Sequence, residues 1–462
     1  MTVFFLNSLI IILNSLQSVT FIFKKPVIVG FYCRIIYKKK EVRMKKYKIG
    51  MIGLGTVGTG VYKTLQEFDD IEIVKIVVKN PDKKRDIENF DTSILTTDAY
   101  EIINNPEIDI LVEVIGGVEP AWEYISKAIE NGKHIVTANK ELLAKKGEEL
   151  FNLAEKYNRV VLYEAAIAGG IPLIMPIKTI MAGNKISQIK GILNGTTNYI
   201  LTKMDVDGAS YSDVLREAQE LGYAETDPTG DVEGFDAMYK ITTLSTIAFG
   251  SRVKLENVYR EGITKVRAED MKKANELGYK IKLIALGNLD ENGKADVRVH
   301  PMLVKKSSSL AHVDYVTNSV YLKGFPMGEI AFTGPGAGEF PTASSVVGDI
   351  INIVAELKHT DYILPMMRCN HDHNAKTINV SETYNKYYLS ITAPNNIGVI
   401  GKIGNVCAER HISLSTILQK GLSEDNTADI TIITEVCKEA DIQDAIKELS
   451  ECRIDSLIRV EE

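Results

Sequence analysis

The 462-residue sequence predicts an α/β fold in three parts. Three observations carry that expectation. A glycine pattern, Gly53-x-Gly55-x-x-Gly58, stands between an apolar run and a helical pattern, the setting in which such a pattern binds a dinucleotide. Apolar runs at 71–78, 110–115 and 134–137 alternate with helical periodicity, the mark of parallel βαβ units. The last segment, 384–462, reads in the order βαββαβ.

The totals are those of a soluble globular chain, 45% hydrophobic and 25% charged. A net charge of −7 without a long basic block excludes a nucleic-acid partner. The five cysteines, Cys33, Cys369, Cys407, Cys437 and Cys452, are odd in number and scattered. That argues for free thiols in a reducing compartment, and hence for a cytoplasmic protein. Residues 44–368 contain no cysteine.

Residues 1–23 are apolar and uncharged, but Asn7, Asn14 and Gln17 dilute them and no basic segment precedes them as in a secretory signal. Lys40-Glu41-Val42 can be encoded by a purine-rich ribosome-binding sequence just upstream of Met44. Translation is therefore expected to start at Met44, with 1–43 a leader outside the fold.

The first domain is expected over 44–165. A strand at 48–52 enters the glycines, and a helix follows to Glu67. Gly53 permits the tight turn, Gly55 lets the backbone approach a pyrophosphate, and Gly58 allows close helix–strand packing. Thr56 and Val57 open the helix, whose N-terminus faces the phosphates. An NAD site places Asp or Glu at the end of the second strand. Here Lys79-Asn80 stands there, followed by Lys83, Lys84 and Arg85. Cations suit a 2′-phosphate, so NADP is expected, with NAD the alternative and a solvated basic loop the blander reading. The strand at 134–137 delivers Ala138-Asn139-Lys140. Strand C-terminal ends are where open α/β sheets bind ligands, which makes Lys140 a site candidate; His134, at the strand's start, reads as structural.

The second domain, 166–333, is expected to be α+β. Across its start, a small-residue loop runs from Glu164 to Pro172; Glu164 is suited to accept backbone hydrogen bonds or to bind a cation with neighbouring carbonyls. A strand at 186–193 leads into Asn194-Gly195-Thr196-Thr197-Asn198-Tyr199, a polar turn suited to cap a helix or meet a ligand. The segment 222–240 then carries Glu225, Asp227, Asp231, Glu233, Asp236 and Lys240. Asp231 is the expected N-cap of the next helix, on which Asp236 and Lys240 share a face. Taken alone this is a surface ion pair worth a few tenths of a kcal/mol, roughly. Further strands are expected at 280–288 and 296–304. A glycine loop, 334–338, precedes a helical run to 357 and reads as a turn, or as a return of the chain to the nucleotide domain over 334–358.

These motifs together resemble homoserine dehydrogenase over essentially all of 44–462. The matching stretches are IGLGTVG (52–58), TANK (137–140), YEAAIAGGIP (163–172), GILNGTTNYIL (191–201), the acidic segment 222–240 and GPGAG (334–338). The resemblance implies reversible, NAD(P)-dependent interconversion of L-homoserine and L-aspartate 4-semialdehyde, on the route to threonine, methionine and isoleucine. It implies Lys240 as proton donor and acceptor, and Lys140 at the junction of nicotinamide and substrate. Glu225 and Asp236 are implied as substrate ligands, with Asp231 and Thr197 further candidates there. A sodium site is implied at Glu164 and the carbonyls of Ile167, Gly169 and Ile171, and Gly338 as a late cofactor contact. A homodimer or homotetramer is expected.

Residues 359–383 read as a linker; Cys369, His371 and His373 within it are too few and too closely spaced for a structural zinc site. The βαββαβ segment 384–462 resembles an ACT domain, an amino-acid-sensing module for which threonine is the expected effector. Asn395-Asn396-Ile397 replace the acidic residue and proline usual before Gly398, so assembly alone is a competing role. Two enzymatic rivals fall away. Aspartate-semialdehyde dehydrogenase needs a cysteine nucleophile that 44–368 lacks, and there is no chain for a fused aspartate kinase. A catalytically silent sensing protein is the rival of another class, disfavoured by the joint presence of Lys140, Glu225, Asp236 and Lys240.

Overall fold

The structure, a computed structural model, describes residues 45–359, 369, 371, 373–422 and 426–461. The expected start at Met44, the segment 1–43 and most of the first half of the expected linker lie outside the described residues.

The first sheet is built from β1 (Tyr47–Ile52), β2 (Ile71–Val77), β3 (Leu95–Thr96), β4 (Ile110–Glu113), β5 (His134–Thr137) and β6 (Val161–Leu162). It is parallel throughout, in the order β3-β2-β1-β4-β5-β6. β4 and β5 are buried on both faces, as a sheet covered by helices on each side requires. The strand order reverses between β1 and β4, and ligands bind such sheets in the crevice at that switch point. The helix Thr56–Leu65 packs on the helix Glu339–His359, with Lys63 Nζ 2.9 Å from Glu339 Oε1. Contact is close enough that a Cβ on Gly60 would lie 2.6 Å from the Glu339 carbonyl oxygen. Val346, Val347, Ile350 and Val354 join Ile49, Met51 and Val61 in one core. The segment after the late glycine loop thus returns to the nucleotide domain.

The remaining strands are β7 (Lys185–Ile192), β8 (Tyr259–Arg260), β9 (Tyr279–Leu289), β10 (Lys294–Lys305), β11 (Thr317–Phe325), β12 (Gly328–Pro335), β13 (Lys376–Thr377), β14 (Tyr384–Pro394), β15 (Leu414–Leu422), β16 (Thr427–Thr434), β17 (Cys437–Lys438) and β18 (Arg453–Val460). Among the described residues they form one mixed 12-stranded sheet along the path β12-β11-β7-β9-β10-β18-β14-β16-β15, with β8 and β13 on β10 and β17 on β14. β18, the last strand of the C-terminal module, pairs in parallel with β10 of the middle domain, Met302 opposite Arg459 and Leu303 opposite Val460. Buried Arg459 lies at this seam, its Nε and Nη2 3.0 and 2.8 Å from the two carboxylate oxygens of Glu439 and its Nη1 3.1 Å from Glu261. The buried charges are therefore paired, as burial demands. β13 and a short turn of helix at Val380–Glu382 also fall inside the stretch read as irregular linker.

The helix Phe235–Phe249 sits between the domains' elements that matter for function, burying Ala237, Met238, Ile241, Leu244 and Ile247. It begins after Gly234, whose φ of +81° is the left-handed region that favours glycine. Asp231 is therefore not its N-cap, contrary to expectation; it belongs to a separate short helix, Thr229–Val232. Among the described residues no helix is long and apolar enough to cross a membrane.

Candidate active site

β5 ends at Thr137, and Asn139 caps the helix Lys140–Lys156 by accepting the Leu142 N–H at 3.0 Å. Lys140 is thereby the first residue of a helix rising from the C-terminal edge of the nucleotide sheet. Across from it, Asp236 occupies the first turn of the helix Phe235–Phe249 and Lys240 the next turn. Asp236 Oδ1 meets Lys140 Nζ. Its Oδ2 accepts from Lys240 Nζ at 2.6 Å and from Asn194 Nδ2 at 3.0 Å. Lys240 also donates to the Leu193 carbonyl at 2.8 Å, and Asn194 Nδ2 donates to Asp231 Oδ1 at 2.7 Å. The side chains of Asp236 and Lys240 are only 7% and 9% exposed, so the surface-pair reading of this spacing is excluded. Lys140, at 43%, opens to solvent.

The electrostatics separate the two lysines. Burial pulls the Lys240 ammonium below its ordinary pKa, and Asp236 offsets that only in part. At Lys140 the attraction of Asp236 dominates and raises the pKa. Burial would raise Asp236, but the two lysines outweigh it and hold the carboxyl below its usual range. Asp231 is raised by burial and by the charge of Asp236. The cluster thus holds one lysine whose charged form is favoured and one whose proton is easier to remove, the pairing expected where a lysine exchanges protons.

The other sequence candidates divide. Glu225 is exposed, and its charge reaches Lys140. Asp227 accepts the Thr229 N–H at 3.1 Å and shapes the turn before Asp231. Thr197 is buried and its hydroxyl donates to Asn194 Oδ1 at 2.9 Å, bracing the cap. The Glu164 carboxylate accepts the N–H groups of Leu173, Ile174 and Met175 at 2.5, 2.8 and 2.7 Å. It is a helix cap, and of the expected cation set only main-chain carbonyls remain free of that task; the Gly169 carbonyl already accepts from Ser345 Oγ at 2.7 Å. Asn194 and the Leu193 carbonyl are the participants sequence reading missed. Asn before Gly-Thr-Thr signalled a cap, which it is, with Thr197 N–H at 2.8 Å; its second use, bridging Asp231 and Asp236, left no local trace.

The nucleotide motif fits a dinucleotide. Gly53 has φ +108°, and a Cβ on Gly58 would lie 2.4 Å from the Gly53 carbonyl oxygen. Nothing lies within 4 Å of a Cβ built on Gly55, leaving the helix N-terminus at Thr56 and Val57 open to a phosphate. Beyond β2, Lys79 and Lys83–Lys84 are exposed, whereas Arg85 is turned inward on the loop, donating to the carbonyls of Asn80, Pro81 and Lys83. Gly338, with φ +127°, lies directly before the helix packed on Thr56–Leu65.

Comparison with known proteins decides the family. Residues 53–164 match the NAD-binding domain of homoserine dehydrogenase, 172–351 its catalytic domain, and 387–453 the ACT domain. The homoserine dehydrogenase of Synechocystis sp. is 42% identical over 430 residues, covering 89% of this chain and 99% of the relative. The chain belongs to the homoserine dehydrogenase family. The crystal structure of a homoserine dehydrogenase from Thiobacillus denitrificans superposes with a TM-score of 0.85 at 39% identity, covering 91% of this chain and 99% of that one. A hyperthermophilic archaeal homoserine dehydrogenase in complex with NADPH matches at 28% identity and a TM-score of 0.58, over 69% of this chain and all of its own. As a member of this family the chain is an NAD(P)-dependent oxidoreductase acting on a CH–OH group.

Proposed function

We propose that Lys140, Asp236 and Lys240 form the centre at which L-homoserine and L-aspartate 4-semialdehyde are interconverted, in the biosynthesis of threonine, methionine and isoleucine. The observation that carries this reading is a buried carboxylate held between two lysines beside the C-terminal edge of the nucleotide sheet. The reduced nicotinamide, when bound, supplies the hydride. Negative charge then develops on the aldehyde oxygen, and Lys240 donates its Nζ proton there; in the reverse direction neutral Lys240 takes the proton of the homoserine hydroxyl. Asp236 and the Leu193 carbonyl aim Nζ. Glu225, Asp231 and Asp236 offer carboxylates for the substrate's ammonium group. Lys140 keeps Asp236 ionised and would lie at the junction of nicotinamide and substrate.

Exposed Lys79, Lys83 and Lys84, with no carboxylate at the end of β2, favour NADP, as does the NADPH bound by the archaeal relative. A sodium ion would rest on the main-chain carbonyls of Ile167, Gly169 and Ile171, with Glu164 shaping the loop. For threonine the candidate pocket is a cavity of about 190 Å³ in the C-terminal module, lined by Asn396, Gly398, Lys402 and Cys452 among others. One assay tests the whole reading. NADPH consumption with L-aspartate 4-semialdehyde should exceed NADH consumption in kcat/KM, rise with sodium and fall with threonine. No turnover with either cofactor would reject the function; indifference to cofactor, sodium or threonine would reject that component alone.

The pKa directions predict a pH dependence of defined sign. Lys240 must be charged for reduction and neutral for oxidation, and its folded pKa is lowered. Raising the pH through that lowered value should reduce kcat for aldehyde reduction and increase kcat for homoserine oxidation over the same interval. Parallel pH profiles in the two directions would be incompatible with this assignment.

A further inference from the structure

Glu113, the last residue of β4, is fully buried. A carboxyl in such a place needs partners for its oxygens, and it has them on two different loops. Its Oε1 accepts the N–H groups of Ile115 and Gly116 at 2.8 and 3.0 Å. Its Oε2 accepts the Thr137 hydroxyl at 2.6 Å. The Thr137 oxygen in turn accepts the Asn139 N–H at 3.0 Å, and Asn139 Nδ2 donates to the Gly117 carbonyl at 2.6 Å. These bonds close a ring: Glu113, the loop 115–117, Asn139, Thr137, and back to Glu113.

Each loop needs the ring. Gly116 and Gly117 both take positive φ, +72° and +74°, and nothing lies within 4 Å of a Cβ built on Gly116. Ile115 is 40% exposed. With little packing to hold this loop, hydrogen bonding to Glu113 and Asn139 must do so. On the other side, Asn139 is the cap that starts the helix at Lys140. The register Glu113 opposite Thr137 and opposite Ile52 brings the ends of β1, β4 and β5 level at the switch point of the sheet.

We infer that Glu113 is a positioning residue for the reaction, acting through the Thr137–Asn139 ring to set where Lys140 meets Asp236. This rests on the reading that Lys140 belongs to the catalytic centre. Glu113 does not touch the reacting atoms; it fixes the helix start from which Lys140 projects. Misplacement of a catalytic side chain by about 1 Å costs up to roughly 100-fold in rate.

The test is a double-mutant cycle on the full chain, with kcat measured for NADPH-dependent reduction of L-aspartate 4-semialdehyde. E113A should lower kcat by about 30-fold or more, yet by less than about threefold in a K140A background, because neighbours acting as one unit are non-additive. E113Q should recover most of the loss: the amide keeps its Oε1 acceptor, and the Thr137 hydroxyl can turn to accept from the new NH2. Should E113A fail to fold, T137V opens the same ring nearly isosterically and enters the same cycle, with an expected loss of about tenfold. Equal losses in the two backgrounds, or wild-type kcat in a folded E113A or T137V enzyme, would overturn the Glu113 inference while leaving the site assignment intact. Wild-type kcat in K140A would overturn both.

Discussion

Replacing Lys240 with alanine lowers kcat for aldehyde reduction by about 1,000-fold, while NADPH affinity stays within a few-fold of the parent enzyme. The change removes the group that protonates the developing alkoxide, an interaction made chiefly in the transition state, so kcat bears the loss. K240R separates proton transfer from charge. It restores a cation near Asp236, but a guanidinium does not give up its proton in a protein, so kcat stays low. The measurements are steady-state kcat from NADPH absorbance, NADPH affinity from nicotinamide fluorescence, and circular dichroism to show an intact fold. A K240A enzyme turning over at the parental rate would remove Lys240 from the mechanism.

Asp236→Ala damages both stability and catalysis. Asp236 and Lys240 are each less than a tenth exposed. Deleting one member of such a pair leaves the other buried and uncompensated, at a cost of about 3–5 kcal/mol. Two ammonium groups, Lys140 and Lys240, then face the same vacated space. Asp236→Asn keeps the shape and isolates the charge. Since Asp236 raises the pKa of both lysines, removing its charge moves the high-pH limb of aldehyde reduction to lower pH. kcat/KM for L-aspartate 4-semialdehyde should fall by about 100-fold or more as a charge-assisted substrate contact is lost. Thermal denaturation of the alanine variant and the pH–rate profile of the asparagine variant measure the two effects. An unshifted profile in D236N would mean that Asp236 does not set the charge of Lys240.

How far the site was legible differs residue by residue. Gly53, Gly55 and Gly58 announced themselves, because a tight turn and a close helix–strand contact restrict residue type within six positions. Asp236 and Lys240 were placed on one helix face by their spacing, but spacing cannot tell a solvated face from a buried one. Asp231 has the residue type and position of a cap, but Gly234, not a side-chain acceptor, opens the helix. Residue type alone leaves Glu164 two uses, and in the fold three backbone N–H groups donate to its carboxylate. Thr197 lies in a recognisable polar turn, but its hydrogen bond to Asn194 Oδ1 depends on the folded cap.

By itself, the sequence determined the parallel nucleotide-binding sheet, the acidic helix with its lysine, and the βαββαβ module. Each follows from periodicity, glycine placement or motif, constraints that act between residues a few positions apart. Only the tertiary structure decided that Lys140 meets Asp236, that Asn194 joins Asp231 to Asp236, and that β18 extends the sheet of the middle domain through β10. Those contacts join segments distant in the chain. They arise when buried charges and strand edges must find partners once water is excluded, and that demand leaves no periodic mark on either segment.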